Sequence, residues 1–142
     1  MIGSAVTILL VEDDIVDTMA IRRSFRDLKI ANPVVEAHNG IEALDSLRGL
    51  SGCEKVPSPC LVLLDLNMPR MDGIEFLTEL RADPLLQHTL VFVMTTSAAE
   101  EDLAKAYDKN VAGYILKHRA GRSFLDSIAM LEHYWRVIEF PS

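Results

Sequence analysis

With 142 residues, 49% of them apolar, the chain is sized for one hydrophobic core, and no apolar run approaches the roughly 20 residues needed to cross a bilayer. The net charge of −7 argues against a general phosphate-backbone binder, because nonspecific nucleic-acid affinity comes from clustered Lys and Arg. Cys53 and Cys60 lack metal-ligand spacing, and His38, His88, His118 and His133 show no zinc-site pairing, which points to a reducing, cytoplasmic setting without a disulfide framework or zinc centre.

The N-terminus has no positively charged start and runs into Val6 to Val11, so it reads as a strand and not as a secretion signal. Ile21, Phe25 and Leu28 then repeat at helical spacing, with Arg22, Arg23 and Arg26 on the wet face between them. A second apolar run, Pro33 to Ala37, precedes the stripe Ile41, Leu44 and Leu47. The Gly, Ser and Pro-containing stretch from Gly49 to Pro59 is predicted to be a surface loop. Cys60 to Leu64 forms the third run and Ile74, Leu77 and Leu80 the third stripe. Leu90 to Met94 follows, and then Ser97-Ala-Ala-Glu100 resembles a capping box opening a helix with Leu103, Ala106 and Tyr107 on its core face. The last run is Ala112 to Leu116, and the last stripe, Phe124, Ile128, Leu131, Trp135 and Ile138, repeats over four turns.

Alternating apolar runs and helical stripes are the pattern of an α/β fold with a parallel sheet. The first, third and fourth runs are apolar almost throughout, as strands buried on both faces must be, so they belong in the middle. With right-handed crossovers, the favoured architecture is a doubly wound, flavodoxin-like five-stranded parallel sheet of order 2-1-3-4-5 with five helices. Residues 1–142 read as one domain whose helix and tail extend beyond about residue 131.

Ligands of such sheets bind beyond the carboxyl ends of the strands, at the switch point between strands one and three. Strand one ends in Glu12-Asp13-Asp14, strand three in Asp65-Leu-Asn-Met-Pro69, strand four in Thr95-Thr-Ser97 and strand five in Lys117. Carboxylates crowded at one edge repel each other, and a hard divalent cation with oxygen ligands relieves that repulsion. Mg²⁺ fits, being typically held by one or two carboxylates and a phosphate oxygen, and Asp13 and Asp65 could supply those carboxylates. Lys117 and Thr95 occupy places from which an ammonium and a hydroxyl could stabilise the charge of a phosphoryl-transfer transition state.

Four motifs in order, Ile8-Leu-Leu-Val-Glu-Asp-Asp14, Leu63-Leu-Asp-Leu-Asn-Met-Pro-Arg-Met-Asp-Gly73, Val93-Met-Thr-Thr96 and Gly113-Tyr-Ile-Leu-Lys117, resemble the receiver domains of two-component response regulators. The resemblance implies that Asp65 is the phosphoacceptor for a sensor histidine kinase. It implies that Asp13 and the backbone carbonyl of Asn67 bind Mg²⁺ directly, with Glu12 acting through water, and that Thr95 and Lys117 contact the phosphoryl group. Tyr114 matches the switch aromatic, which turns inward when the threonine moves toward the phosphate. A receiver assists its own phosphorylation and dephosphorylation without being a turnover enzyme. One position departs: His118 stands where receivers usually carry a proline with a cis peptide bond. A cis bond before a residue other than proline costs about 3–4 kcal/mol, so the link after Lys117 is either strained or trans.

The long Gly49 to Pro59 loop, the Thr95-Thr-Ser97 triplet and the ending Leu131-Glu-His-Tyr-Trp135 with Glu139-Phe-Pro141 look like the small regulators that accompany phytochromes, which implies a red-light-sensing kinase as partner. Tyr134, Trp135, Val137, Ile138 and Phe140 lie beyond what the sheet needs for cover, and Tyr134, Trp135, Ile138 and Phe140 are expected to form a homodimer interface. Three competing readings are weaker. A haloacid dehalogenase-like phosphohydrolase would carry a second aspartate where this chain has Asn67, a flavodoxin-like carrier would meet flavin phosphate with an acidic first loop, and a non-phosphorylated scaffold would have no need of four intact chemical positions.

Overall fold

A computed structural model of the chain describes residues 6–66, 68, 71–95, 100–116, 129, 130 and 133, with the backbone alone at 95, 100–103, 114 and 116. Strands and helices alternate as β1 (Thr7–Val11), α1 (Ile15–Asp27), β2 (Val34–Ala37), α2 (Gly40–Arg48), β3 (Cys60–Asp65), α3 (Gly73–Ala82), β4 (Leu90–Thr95), α4 (Glu100–Asp108) and β5 (Gly113–Leu116). All five strands form one parallel sheet in the order β2-β1-β3-β4-β5. This is the predicted order, with the three most apolar runs in the centre. The predicted fifth helix falls outside the described residues except at 129, 130 and 133, which are helical.

Strand alternation divides the core in two. Leu9, Val11, Val62, Leu64, Val91 and Val93 point to one side, where Ala43, Leu44 and Leu47 of α2, Phe76, Leu77 and Leu80 of α3 and Ala106 of α4 cover them. Ile8, Leu10, Leu61, Leu63, Met94 and Ile115 point to the other, against Ile21 and Phe25 of α1. Both faces of β1 and β3 are therefore dry, which explains why their sequences carry no polar alternation.

Helix starts are set by side chains that take up orphan backbone amides. Asp14 caps α1 by accepting from Val16 and Asp17, and Asn39 caps α2 by accepting from Glu42. Asp72 and Glu75 form a reciprocal capping box at α3, whereas the box expected at Ser97 to Glu100 falls outside the described residues apart from the backbone of Glu100.

Three packing expectations need correction. Ile41 is 41% and Tyr107 47% exposed, so each lies outside the buried stripe of its helix. The Gly49 to Pro59 loop is not wholly superficial either. Val56 is 5% exposed, and its N–H donates to the Ser46 carbonyl at 2.9 Å.

Candidate functional site

Strands β1 and β3 are parallel neighbours with Val11 opposite Leu64, so the residues that follow leave the sheet side by side. Glu12 adds one step to the β1–β2 ladder, its N–H donating to the Ala37 carbonyl at 2.9 Å. That step holds its side chain inside, 1% exposed, where Oε1 accepts from the Asp14 N–H at 3.1 Å. Asp14 is turned away by its capping role, taking the Val16 and Asp17 amides at 2.8 and 3.2 Å. Asp13 is left exposed between them. Asp65 ends β3 opposite Met94 and is buried.

Each of Glu12, Asp13 and Asp65 brings a ligand oxygen to within 4.8 Å of the other two. Two of these carboxylates are buried and the third is exposed, so bulk water screens the cluster from one side only. The donor set is all oxygen, which suits a hard divalent ion of the Mg²⁺ or Mn²⁺ kind. Ligands about 2.1 Å from such an ion stand at most about 4.2 Å apart, so the observed spread accommodates two direct ligands and a third reached through water.

Other predicted site residues are placed only in part. Thr95 ends β4 with its backbone opposite Leu116, and Tyr114 lies in β5 opposite Val93, but their side chains are not described. Asn67, Lys117, Tyr134, Trp135, Val137, Ile138 and Phe140 fall outside the described residues. The structure thus brings Glu12, Asp13 and Asp65 together, and puts the end of β4 beside that of β3.

Two features of this edge escaped the sequence reading. Ile15, Val16 and Met19 are 73%, 68% and 55% exposed, an apolar patch at the start of α1. They sit off the buried stripe of Ile21 and Phe25, and that mismatch was the available signal. Gly73 is the second: a Cβ there would lie 2.8 Å from the Asp65 carbonyl oxygen, so the start of α3 presses on the backbone of Asp65.

The pattern of the response regulator receiver domain matches residues 8–129. Response regulator Rcp1 of Synechocystis sp. is 33% identical over 128 residues, 90% of this chain and 87% of that protein. The crystal structure of its Mn²⁺-bound form matches with a TM-score of 0.84 at 31% identity, covering 96% of this chain and 99% of that one. The phosphorylated cyanobacterial phytochrome response regulator RcpA matches with a TM-score of 0.82 at 33% identity, over 96% and 98%. Response regulator RPA3017, of red light signalling in R. palustris, gives 0.85 at 28% identity, over 96% and 98%. Fold order, acidic edge and sequence pattern agree along the same stretch, and the chain belongs to the response regulator receiver domain family.

Proposed function

We propose that Asp65 accepts a phosphoryl group from a phosphohistidine of a sensor histidine kinase in an Mg²⁺-dependent reaction, after which the chain signals by phosphotransfer or protein contact. The observation that carries this is the meeting of Glu12, Asp13 and Asp65 at the carboxyl ends of β1 and β3. Receiver-domain regulators accept phosphoryl groups from histidine kinases, and the reading gives each residue at this edge a task. Asp13, Asp65 and the Asn67 carbonyl would hold Mg²⁺ directly, with Glu12 acting through water. When bound, the ion supplies positive charge that offsets the carboxylates and the incoming phosphoryl oxygens.

An Asp65 carboxylate oxygen attacks phosphorus in line with the P–N bond. The P–O bond forms as P–N breaks, and the histidine nitrogen departs with the electron pair, leaving an acyl phosphate. Because the transition state is loose, this chain contributes mainly position and charge. The strand fixes Asp65, the Lys117 ammonium pairs with one phosphoryl oxygen and the Thr95 hydroxyl donates to another. Tyr114 turns inward as Thr95 moves.

A phytochrome is the proposed kinase, supported by the likeness to RcpA and RPA3017. The exposed Ile15, Val16 and Met19 beside the acidic loop offer it an apolar docking face. The chain acts as one receiver domain over residues 1–142, in the cytoplasm, as a homodimer, and it assists its own phosphorylation without being a turnover enzyme. Among the described residues no helix is long and apolar enough to cross a membrane.

The test is labelling by phosphorylated kinase or acetyl phosphate with Mg²⁺. Label is expected on Asp65 and absent from Asp65→Asn; undiminished labelling of that variant overturns the assignment.

A further inference from the structure

Asp65 stands where the sheet loosens its hold on β3. The pairing of β1 with β3 runs only to Leu64, opposite Val11, and that of β4 only to Asp65, opposite Met94. One residue on, the Leu66 N–H reaches the Met94 carbonyl at 3.4 Å, beyond the usual range of about 2.7–3.2 Å.

The start of α3 closes on the strand at this point. Gly73 is the buried first residue of that helix, and its N–H donates to the Leu66 carbonyl at 3.0 Å. A Cβ on Gly73 would lie 2.6 Å from Leu66 Cα, 2.8 Å from the Asp65 carbonyl oxygen and 2.8 Å from Leu66 Cδ2. The first two atoms belong to the backbone and cannot swing aside as a side chain can. Gly73 is not among the positive-φ glycines, and alanine is the better helix former. Closeness to the end of β3 is therefore what calls for glycine.

Opening the 2.6 Å contact to the 3.0 Å that real Cβ atoms keep takes a shift of about 0.4 Å. The helix resists that shift, because Phe76, Leu77 and Leu80 are fully buried in the core that Val62 and Leu64 share, and the Asp72–Glu75 capping box fixes its first turn. The end of β3, held by its long ladder bond, yields first. Asp65 is the last residue of that strand, and its carboxylate is one of the three that meet at the acidic edge. Mg²⁺ demands near-ideal octahedral geometry with ligands at about 2.0–2.1 Å, so a few tenths of an ångström matter there.

We propose that Gly73 is a positioning residue for Asp65: having no side chain, it lets α3 close on the end of β3 and so sets where the Asp65 carboxylate stands in the acidic cluster. The proposal rests on the metal-site reading above. Altering groups that orient metal ligands typically changes affinity about 10- to 100-fold, so Gly73→Ala weakens Mg²⁺ binding at least about tenfold in a folded chain.

Calorimetric Mg²⁺ titration of the full chain tests this, with folding followed by circular dichroism. Gly52 is the control, because its φ of 80° makes alanine strained there while nothing lies within 4 Å of the added Cβ. Gly52→Ala should lose stability and keep its Mg²⁺ affinity, whereas Gly73→Ala should lose affinity. If Gly73→Ala does not fold, the double variant Leu66→Ala/Gly73→Ala takes its place and is read against Leu66→Ala, with trimethylamine N-oxide present to favour the folded state. That pair clears the collision with the Leu66 side chain and keeps the one with the backbone, so the double variant should bind at least about tenfold more weakly than Leu66→Ala. Wild-type affinity in the folded Gly73→Ala, or equal affinity within the stand-in pair, overturns the proposal alone. So does a Gly52→Ala that loses as much affinity, since binding would then follow stability and not the place of Asp65. A wild type that binds no Mg²⁺, or an Asp13→Ala variant that binds as tightly as wild type, overturns the site reading and the proposal with it.

Discussion

Asp13 and Asp14 are adjacent and chemically identical, yet the structure gives them different work. Asp14 spends its carboxylate on the Val16 and Asp17 amides, and Asp13 is the member that meets Glu12 and Asp65. Asp14→Ala should therefore cost about 1 kcal/mol of stability through the lost cap and change Mg²⁺ affinity little. Asp13→Ala should do the reverse, binding Mg²⁺ much more weakly while keeping or raising apo stability, since one of three repelling charges is gone. Parallel thermal melts and Mg²⁺ titrations check both, and equal affinity of Asp13→Ala and wild type would refute the assignment. Spacing in the sequence does not separate the pair, because capping depends on where the helix starts; Asp13 was the expected ligand, and the capping role of Asp14 is what the structure adds. Cys60 shows a second residue-scale effect. Burial pushes its thiol up to about 12, against a backbone hydrogen bond from Leu9 that pulls the other way. The folded state keeps its proton where the unfolded chain would lose it, so this stabilisation is complete below pH 9.0, the unperturbed value, and is lost as pH rises toward about 12. At pH 8 iodoacetamide should modify Cys53 well before Cys60, as read by peptide mass spectrometry, and equal rates would contradict the buried thiol.

Among the elements, the strands were the most legible and the loop anchors the least. Continuous Val, Ile and Leu runs announce strands buried on both faces, and parallel order follows from chain alternation, so the sheet could be drawn before any coordinate was known. A helical stripe is harder to bound, because spacing says which residues share a face but not how far the neighbouring element reaches. Ile41 and Tyr107 fall just past that reach. Arg81 could not be read at all, since its partners are backbone carbonyls, which any residue offers. Its guanidinium donates to the carbonyls of Lys109, Gln87, Thr89 and Asn110 at 2.7 to 3.0 Å, tying the end of α3 to the turns before β4 and β5. Arg81→Ala strands those acceptors and should cost about 2–3 kcal/mol, lowering Tm by roughly 5–10 °C. Arg81→Lys should recover less than half of that, because an ammonium cannot present a planar fork of donors. Full recovery by lysine would show that charge, not geometry, holds these turns.

At the scale of the whole molecule, the proposed dimer can be argued from what lies past the receiver pattern. That pattern ends at residue 129, yet the structures of Rcp1 and RcpA each cover 96% of this chain, so these relatives share part of the extension. Met130, at its start, is 71% exposed, and Tyr134, Trp135, Val137, Ile138 and Phe140 follow. Apolar residues beyond what a sheet needs for cover are candidates for an interface, aromatic anchors dominate interface energies, and a two-fold dimer is the commonest closed assembly. Charge sharpens the prediction. Each copy carries −7, so two copies repel over the Debye length of about 10 Å at 0.1 M salt, and added salt weakens that repulsion while leaving an apolar contact unscreened. A dimer held by the apolar tail should tighten as salt rises from about 0.05 to 0.5 M, whereas one held by ion pairs would loosen. Multi-angle light scattering across that range should show dimer throughout for the full chain and monomer for a chain truncated after Leu131. A truncated chain that stays dimeric, or a full chain that dissociates as salt increases, would place the interface elsewhere.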